Sequence, residues 1–521
     1  MPRHAACKRK LLPPATGIAS LVFLLWTASC CWFFTPAVLA GDSPGPKQII
    51  LTWTGDPLET QTITWLTPDN TPARVQYLSH DEFTGSFAAA LEVSAGCSVF
   101  DSINYRCTAN LTDLKPGTKY VYRAGNDGAW SEVLSFTTAR DTREFTFLYM
   151  GDVQAGYTQW GETLDSVYRT HPKIKFALLG GDLTDNGSDA GEWGQFLDAA
   201  TGVFSFIPVQ PALGNHDGNM YMNFFALPQN GPAGLEQEFY SFDYGNAHFV
   251  VLDSGNNTNE RAIEWLREDL GGTTKEWKFA VFHKPAYPAT YDYKEIDKSI
   301  RANWIPILEQ NRVDMVFVGH QHVYMRTHPI YQDEIQTDPA AYGIVYVMGN
   351  AGSKMYAKGG GFPYIAMEQS GSNYQIIEIK DGLLTLTARE ATGELIETYT
   401  INKGDPSSSE PAYTLTPGPD YAYTPGITAG GVITFTVNAG VAGFKYFTVG
   451  VTPVVPRGGK EVVVFSHLRN GSQLGINAAR ADFDQVYAAQ AGFDVRQGDL
   501  IKVFMVDHLT SDTSINPVIL Q

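Results

Sequence analysis

Five times along this 521-residue chain, side chains able to bind a metal ion follow directly on a short apolar run or a turn glycine. In order these are Met150-Gly151-Asp152-Val153-Gln154, Gly181-Asp182-Leu183-Thr184-Asp185, Gly214-Asn215-His216-Asp217, Val281-Phe282-His283 and Val318-Gly319-His320-Gln321-His322, with 30, 33, 68 and 37 residues between first ligands. Such scattered groups can act together only in a fold that brings the ends of all five segments to one place. An open α/β sheet does this, because loops leaving the strand ends converge on a single crevice. Carboxylate, amide and imidazole together suit borderline divalent and ferric ions better than a calcium cage. Singly, each motif is weak, since a lone histidine after a strand is usually structural and a Gly-Asp pair is usually a turn. Gly-His-x-His is stronger, because two imidazoles two residues apart can serve neighbouring ions.

The pattern around the motifs agrees. From Glu144 to about Glu397, apolar runs at 145–150, 174–179, 277–282, 313–318 and 344–348 have the length and composition of strands buried in an α/β domain. Between them Trp160, Leu164, Val167 and Tyr168 fall at helical spacing. Asn257 and Glu260 resemble a capping box opening a helix that carries Ile263, Leu266 and Leu270 and stops at Gly271-Gly272. A catalytic domain is therefore expected over 143–400. Upstream, over 41–140, period-two alternation such as Thr62-Ile63-Thr64-Trp65 and Tyr120-Val121-Tyr122 predicts a β-sandwich. The stretch from Leu111 through Pro116-Gly117 to Tyr122 resembles the late strands of fibronectin type III domains. Downstream, Pro-, Ser- and Gly-rich sequence over 401–425 reads as a linker, and residues 426–521 as a separate β-rich domain that could bind a cell surface or another protein.

At the N-terminus, Arg3, Lys8, Arg9 and Lys10 precede an apolar run that ends in Ala37-Val38-Leu39-Ala40. This is the order of a secretory signal peptide over 1–40, the alternatives being a retained anchor or a lipid-modified Cys30. Cleavage after Ala40 predicts a secreted or cell-surface protein with no stable membrane anchor. The whole chain carries a formal charge of −18, and loss of the four basic residues makes it about 22 negative. Such a field repels nucleic acid, so a phosphorylated substrate needs a local positive site, which metal ions would supply. Of the five cysteines only Cys97 and Cys107 remain, and an exported chain with one pair ten residues apart most simply forms a disulfide.

Taken together, the motifs and their order resemble the calcineurin-like metallophosphoesterase superfamily, and within it the purple acid phosphatase branch, whose members begin with a fibronectin-like domain. The resemblance covers roughly residues 48–397. It implies a multidomain chain: an α/β sandwich in αββα layers, preceded by a fibronectin type III-like β-sandwich and followed by a mostly β domain. It also implies two divalent or trivalent ions (iron, manganese or zinc), one held by Asp152 and His322, the other by Asn215, His283 and His320, with Asp182 bridging. His216 would lie beside the metals as the catalytic histidine. The implied reaction is hydrolysis of phosphate monoesters or diesters by direct attack of a metal-bound hydroxide on a phosphorylated small molecule or nucleotide.

Three positions depart from the purple branch. Asp185 stands where the branch has a tyrosine, and Asp292 and Tyr293 stand near its tandem histidines. Gln154 occupies the position of a metal-binding histidine in the wider superfamily. Gln154 and Asp185 are therefore either ligands or neighbours of ligands, and metal identity and leaving group stay open. Two other readings are kept: a nucleotidase or phosphodiesterase for a larger substrate, and a surface binding protein whose metal domain has decayed. Tyr287, Tyr291 and Tyr293 could line a cleft, and Arg326 could reach phosphate or form a buried salt bridge.

Overall fold

In the N-terminal region, strands Lys47–Thr52, Gln61–Thr67, Tyr105–Leu111 and Gly96–Val99 form one sheet of a β-sandwich. Arg74–Ser79, Leu91–Ser94, Lys119–Asn126, Ala129–Trp130 and Leu134–Thr137 form the other. The computed structural model describes residues 45–506 apart from 69–71, 102–103, 291–295, 338–340, 360, 404–412, 429–431 and 455–460. The expected leader with Cys30, and Tyr291, Asp292 and Tyr293, lie outside the described residues.

Ile63, Trp65, Val75, Leu111, Tyr122 and Phe136 fill the sandwich. The Tyr120 hydroxyl accepts from the Lys115 N–H at 2.9 Å, forming the tyrosine corner that the Pro-Gly stretch suggests. Cys97 and Cys107 face each other on paired strands and are joined by a disulfide. Gln61–Thr67 is buried at every position, not at alternate ones, because its second face packs on the following domain. Ile50 and Trp53 join that domain's core, Tyr122 Oη donates to the Ser205 carbonyl at 2.7 Å, and Arg106 Nε donates to that of Asn223 at 2.9 Å.

That second region has two stacked sheets. One runs Val209–Pro211, Ile174–Leu179, Glu144–Met150, Asn373–Lys380, Leu383–Glu390, Leu395–Asn402, its first three strands parallel. In the other, Ala247–Leu252, Trp277–Phe282, Met315–Val318 and Val345–Met348 are parallel, flanked by Tyr240–Tyr244 on one side and Val323–Thr327 and Ile365–Ser370 on the other. Phe147, Phe176, Phe249, Phe279 and Phe317 interlock as one aromatic cluster of the core. Helices Tyr157–Thr170 and Ala190–Phe204 pack on the first sheet through Trp160, Leu164 and Phe196. Helix Glu260–Gly272 packs on the second through Leu266 and Leu270. The layers are thus αββα.

Two local readings are corrected. Asn259 caps the Glu260–Gly272 helix, its side chain accepting from the Arg261 and Ala262 N–H groups, while Asn257 Nδ2 donates to Ser254. Both asparagines precede the apolar stripe, and only Asn259 stands at the distance an N-cap requires. Part of the stretch read as linker is ordered as strands Tyr413–Pro417 and Tyr423–Ile427. Both are edge strands, where Pro417 and Pro425 cost no ladder hydrogen bond, and Tyr413 and Tyr423 anchor them in a β core with Phe435, Phe447 and Phe493.

Arg326 holds the two stacked sheets together. Its Nε and Nη2 donate to the two oxygens of Glu397 at 3.0 and 2.8 Å, and the guanidinium lies 4.1 Å from the Tyr399 ring centroid. This is a structural ion pair, with Arg326 on one sheet and Glu397 on the other. Replacing Glu397 with Ala strands a buried guanidinium and is expected to lower the unfolding free energy by about 3–5 kcal/mol in a denaturant titration. The KM for a phosphate ester in the folded fraction should not change, and a raised KM would return Arg326 to the list of substrate contacts.

Candidate metal centre

Every one of the five motifs leaves the C-terminal end of a parallel strand or the turn just beyond it, so the topology collects them along one seam between the sheets. Close approach is required there. A Cβ on Gly319 would lie 2.4 Å from Asp152 Oδ2, and one on Gly181 (φ 87°) would lie 2.9 Å from His283 Nδ1. Asp182, Gln154, His320 and His322 all hold a left-handed backbone, with φ of 50°, 42°, 76° and 37°. Non-glycine residues adopt that region at a cost, and they cluster where the surrounding structure needs a side chain aimed in one direction.

Asp182, His283 and His320 each place a donor atom within 4.8 Å of the others. His283 Nε2 lies 3.1 Å from Asp182 Oδ2 and 3.2 Å from His320 Nδ1. Beside them, Asp152 Oδ1 lies 3.8 Å from His322 Nε2, and both Asp152 oxygens accept from the His320 N–H, at 2.9 and 2.7 Å. The rings are oriented from behind. His283 Nδ1 donates to the Gly180 carbonyl at 2.9 Å and His322 Nδ1 to Asn350 Oδ1 at 3.2 Å, so each turns Nε2 toward the carboxylates.

Solvent exclusion governs the charges. Asp152 and His283 are fully buried and Asp182 is 1 % exposed. Burial pushes the Asp152 carboxyl up against the pull of His283, and Asp182 pushes it further. Burial works against the Asp182 carboxylate too, but His283 and the His216 N–H hold it below the usual range. Burial opposes the charged form of His283, and the Asp182 carboxylate overcomes this and raises it to about 9. Burial and the neighbouring His283 drive His320 down to about 3; burial and Lys354 drive His322 down to about 4. Neutral imidazoles beside buried carboxylates are the forms that ligate cations. The donor set fits transition-metal ions.

The catalytic candidate lies beside this group. His216 donates its backbone N–H to Asp182 Oδ1 at 2.9 Å, and its ring is about one-third exposed. Its Nδ1 lies 2.7 Å from the Asp185 carbonyl, which can only accept, so Nδ1 carries the hydrogen and Nε2 remains for other work. Asn215 is exposed in the same turn. The Asp185 side chain is more than half exposed, with Oδ1 3.8 Å from His216 Nδ1 and 4.0 Å from Lys354 Nζ. Gln154 is buried, and its Oε1 accepts from Lys354 Nζ at 3.0 Å.

Residues 46–138 match the family model for the purple acid phosphatase N-terminal domain, and residues 145–324 match that for calcineurin-like phosphoesterase. The chain thus carries a purple acid phosphatase N-terminal-type domain followed by a calcineurin-like phosphoesterase domain. Among relatives, purple acid phosphatase 23 of Arabidopsis thaliana is 28 % identical over 292 residues, 47 % of this chain and 61 % of that one. An uncharacterised Mycobacterium tuberculosis protein is 28 % identical over 269 residues, 43 % of this chain and 50 % of that one. The chain thus spans between half and about three-fifths of the length of these relatives. The solved purple acid phosphatase PPD1 of yellow lupin shares the fold at a TM-score of 0.61 and 18 % identity, covering 69 % of this chain and 74 % of that one.

At this centre the roles of several organising residues escape the sequence reading. Asp217 accepts from Leu183, Thr184 and Gly214 N–H groups at 2.6, 3.2 and 2.8 Å, tying the second motif to the third. Asn350, which orients His322, carries the same signature as the motifs, since Val347-Met348-Gly349-Asn350 is again a strand end, a glycine and a polar residue. Glu192 Oε2 accepts from the Asp185 and Asn186 N–H groups at 3.0 and 2.8 Å and so fixes the Asp185 loop from a helix. Nothing local in the sequence marks Glu192 or Lys354. Tyr287 is buried and donates to Asp333, which removes it from the cleft reading. A cavity of about 840 Å³ elsewhere, walled by Asp56, Asp141, Asp243, Asp269 and His248, contains none of the motif residues. There His248 is clamped between Asp243 and Asp269 at 2.7 and 2.8 Å.

Asp185 stands at the position of the tyrosine that colours the purple enzymes, and its side chain is more than half exposed. Tyr157, the nearest candidate in sequence, donates its hydroxyl to the Gln154 carbonyl at 3.0 Å, and burial with Glu192 alongside pushes its phenol well above the ordinary range. Iron-loaded protein is therefore expected to lack an intense charge-transfer band in the visible spectrum. A strong band in the yellow-green region would put a tyrosinate on the iron and overturn this placement.

Proposed function

We propose that this chain is an exported two-metal phosphoesterase that hydrolyses phosphate monoesters or diesters. The observation that carries the reading is the convergence of Asp182, His283 and His320, with Asp152 and His322 alongside, at the buried seam between the two sheets. In this reading Asp152 and His322 hold one ion, Asn215, His283 and His320 the other, and Asp182 is shared. Iron, manganese and zinc all suit such donors. Two ions bound there would activate a water near neutral pH and neutralise charge on the phosphoryl oxygens.

The chain's own residues account for the rest. His283 and His322 are pre-turned by Gly180 and Asn350, so ligand geometry is set before any ion arrives. With Nδ1 committed to Asp185, the His216 ring can deliver a proton only from Nε2, which suits it to protonating a leaving oxygen or stabilising charge at the transition state. A chain carrying −18 holds off polyanions, which favours a phosphorylated small molecule or nucleotide as substrate. Export is supported by the leader sequence and by the Cys97–Cys107 disulfide, a bond that persists in oxidising compartments.

Elemental analysis of the purified protein should find about two transition-metal ions per chain. No metal, with no hydrolysis restored by iron, manganese or zinc, sinks the reading. His216→Ala should keep both ions and lose roughly two to four orders of magnitude in kcat. Lost metal would make His216 a ligand, and near-normal turnover would remove it from the chemistry.

A further inference from the structure

Lys354 stands at the metal centre with an unusual set of neighbours. It lies just past the Val345–Met348 strand, and its backbone carbonyl accepts from Asn350 Nδ2 at 2.8 Å, which is the same asparagine that orients His322. Two residues on, the Tyr356 N–H donates to the His322 carbonyl at 3.1 Å. The lysine's position is thus set by the residues that set the ligand. Its ammonium lies 3.0 Å from Gln154 Oε1 and 4.0 Å from the Asp185 oxygen that is itself 3.8 Å from His216 Nδ1. The side chain is 38 % exposed, so the ammonium can meet a ligand arriving from solvent.

The lysine also fixes what Gln154 can do. An ammonium group has only donors, so the glutamine must turn its oxygen toward Lys354 and keep its NH2 on the other side. That Nε2 is buried and has no hydrogen-bond acceptor among the described residues. An amide NH2 cannot ligate a cation. It can only meet an acceptor, so the position that carries a metal-binding histidine in the wider superfamily here carries a donor. Next to it the ammonium keeps hydrogens beyond the one given to Gln154. A fixed ammonium with hydrogens to spare is the chemistry that holds an oxyanion.

We propose that Lys354, held in place by Gln154, binds a non-bridging phosphoryl oxygen, and that it selects phosphomonoester dianions over phosphodiesters. This rests on the phosphoesterase reading and adds the substrate class to it. A monoester brings two negative charges and three free oxygens. A diester brings one charge and two free oxygens, and its second organic substituent takes the place where an oxygen would meet the ammonium. In a chain as acidic as this one, an ammonium fixed beside the centre contributes most to the more highly charged ester.

The test uses metal-loaded full-length protein, Lys354→Met and Lys354→Arg. Inorganic phosphate binding is measured by calorimetry, and kcat/KM for para-nitrophenyl phosphate and bis(para-nitrophenyl) phosphate by absorbance. Loss of one charge-assisted hydrogen bond in Lys354→Met should weaken phosphate binding and monoester kcat/KM by about 10- to 100-fold, with diester kcat/KM within about threefold. Metal content should not change, and Lys354→Arg should keep most of the phosphate affinity. Unchanged phosphate affinity, equal losses on both esters, or loss of metal in Lys354→Met overturns the proposal, the last by making Lys354 a prop for the metal site. Wild-type protein that neither binds phosphate nor hydrolyses either ester overturns the phosphoesterase reading as well.

Discussion

Burial of charge at the seam between the two sheets is the constraint on which the rest of this structure depends. Asp152, Asp182, His283, His320 and His322 are almost completely withdrawn from water, and an isolated buried carboxylate is costly unless a cation or donors meet it. The fold meets part of that cost with its own groups. The His320 and His216 N–H groups bond to the carboxylates, and His283 pairs with Asp182. The remainder shows in the direction of the shifts, with Asp152 pushed toward its neutral form and His320 and His322 held neutral. A cation bound among these groups relieves the penalty, so metal binding and folding stability are coupled by mass action.

Much of this could be read from residues alone because the ligands sit at places that the topology dictates. An apolar run that ends in a polar residue means a buried strand delivering a side chain to its C-terminal edge, and parallel strands share that edge. The same rule reached Asp152, Asp182, His283, His320 and His322, and applied once more it would have reached Asn350 at the end of Val345–Met348. It could not reach Lys354 or Glu192, whose importance comes from loops and a helix that pack across the seam, nor the role of Asp217, which depends on N–H groups more than thirty residues away. Period-two reasoning found the first sandwich yet missed that Gln61–Thr67 is covered on both faces, since a docking domain leaves no polar side to alternate. It also passed over Tyr413–Pro417 and Tyr423–Ile427, whose prolines and glycine mask edge strands held by one buried tyrosine each.

Two of the departures from the purple branch, Asp185 and Gln154, fall together on the Lys354 side of the centre. Asp185 faces solvent near His216, Gln154 is turned by Lys354, and Tyr157 is tied to the Gln154 carbonyl. On the other side, His283, His320 and Asp182 keep a closely packed arrangement. In the proposed assignment an ion at Asp152 and His322 would have the less complete set of protein donors, and differences in metal identity and ester selectivity from purple relatives would originate there.

Anomalous diffraction from crystals of metal-loaded protein tests the two-metal claim most directly. The account predicts two peaks about 3.5–4 Å apart, one within ligand distance of Asp152 and His322, the other of His283 and His320, with Asp182 reaching both. A single peak, or a pair that Asp182 does not bridge, would contradict it.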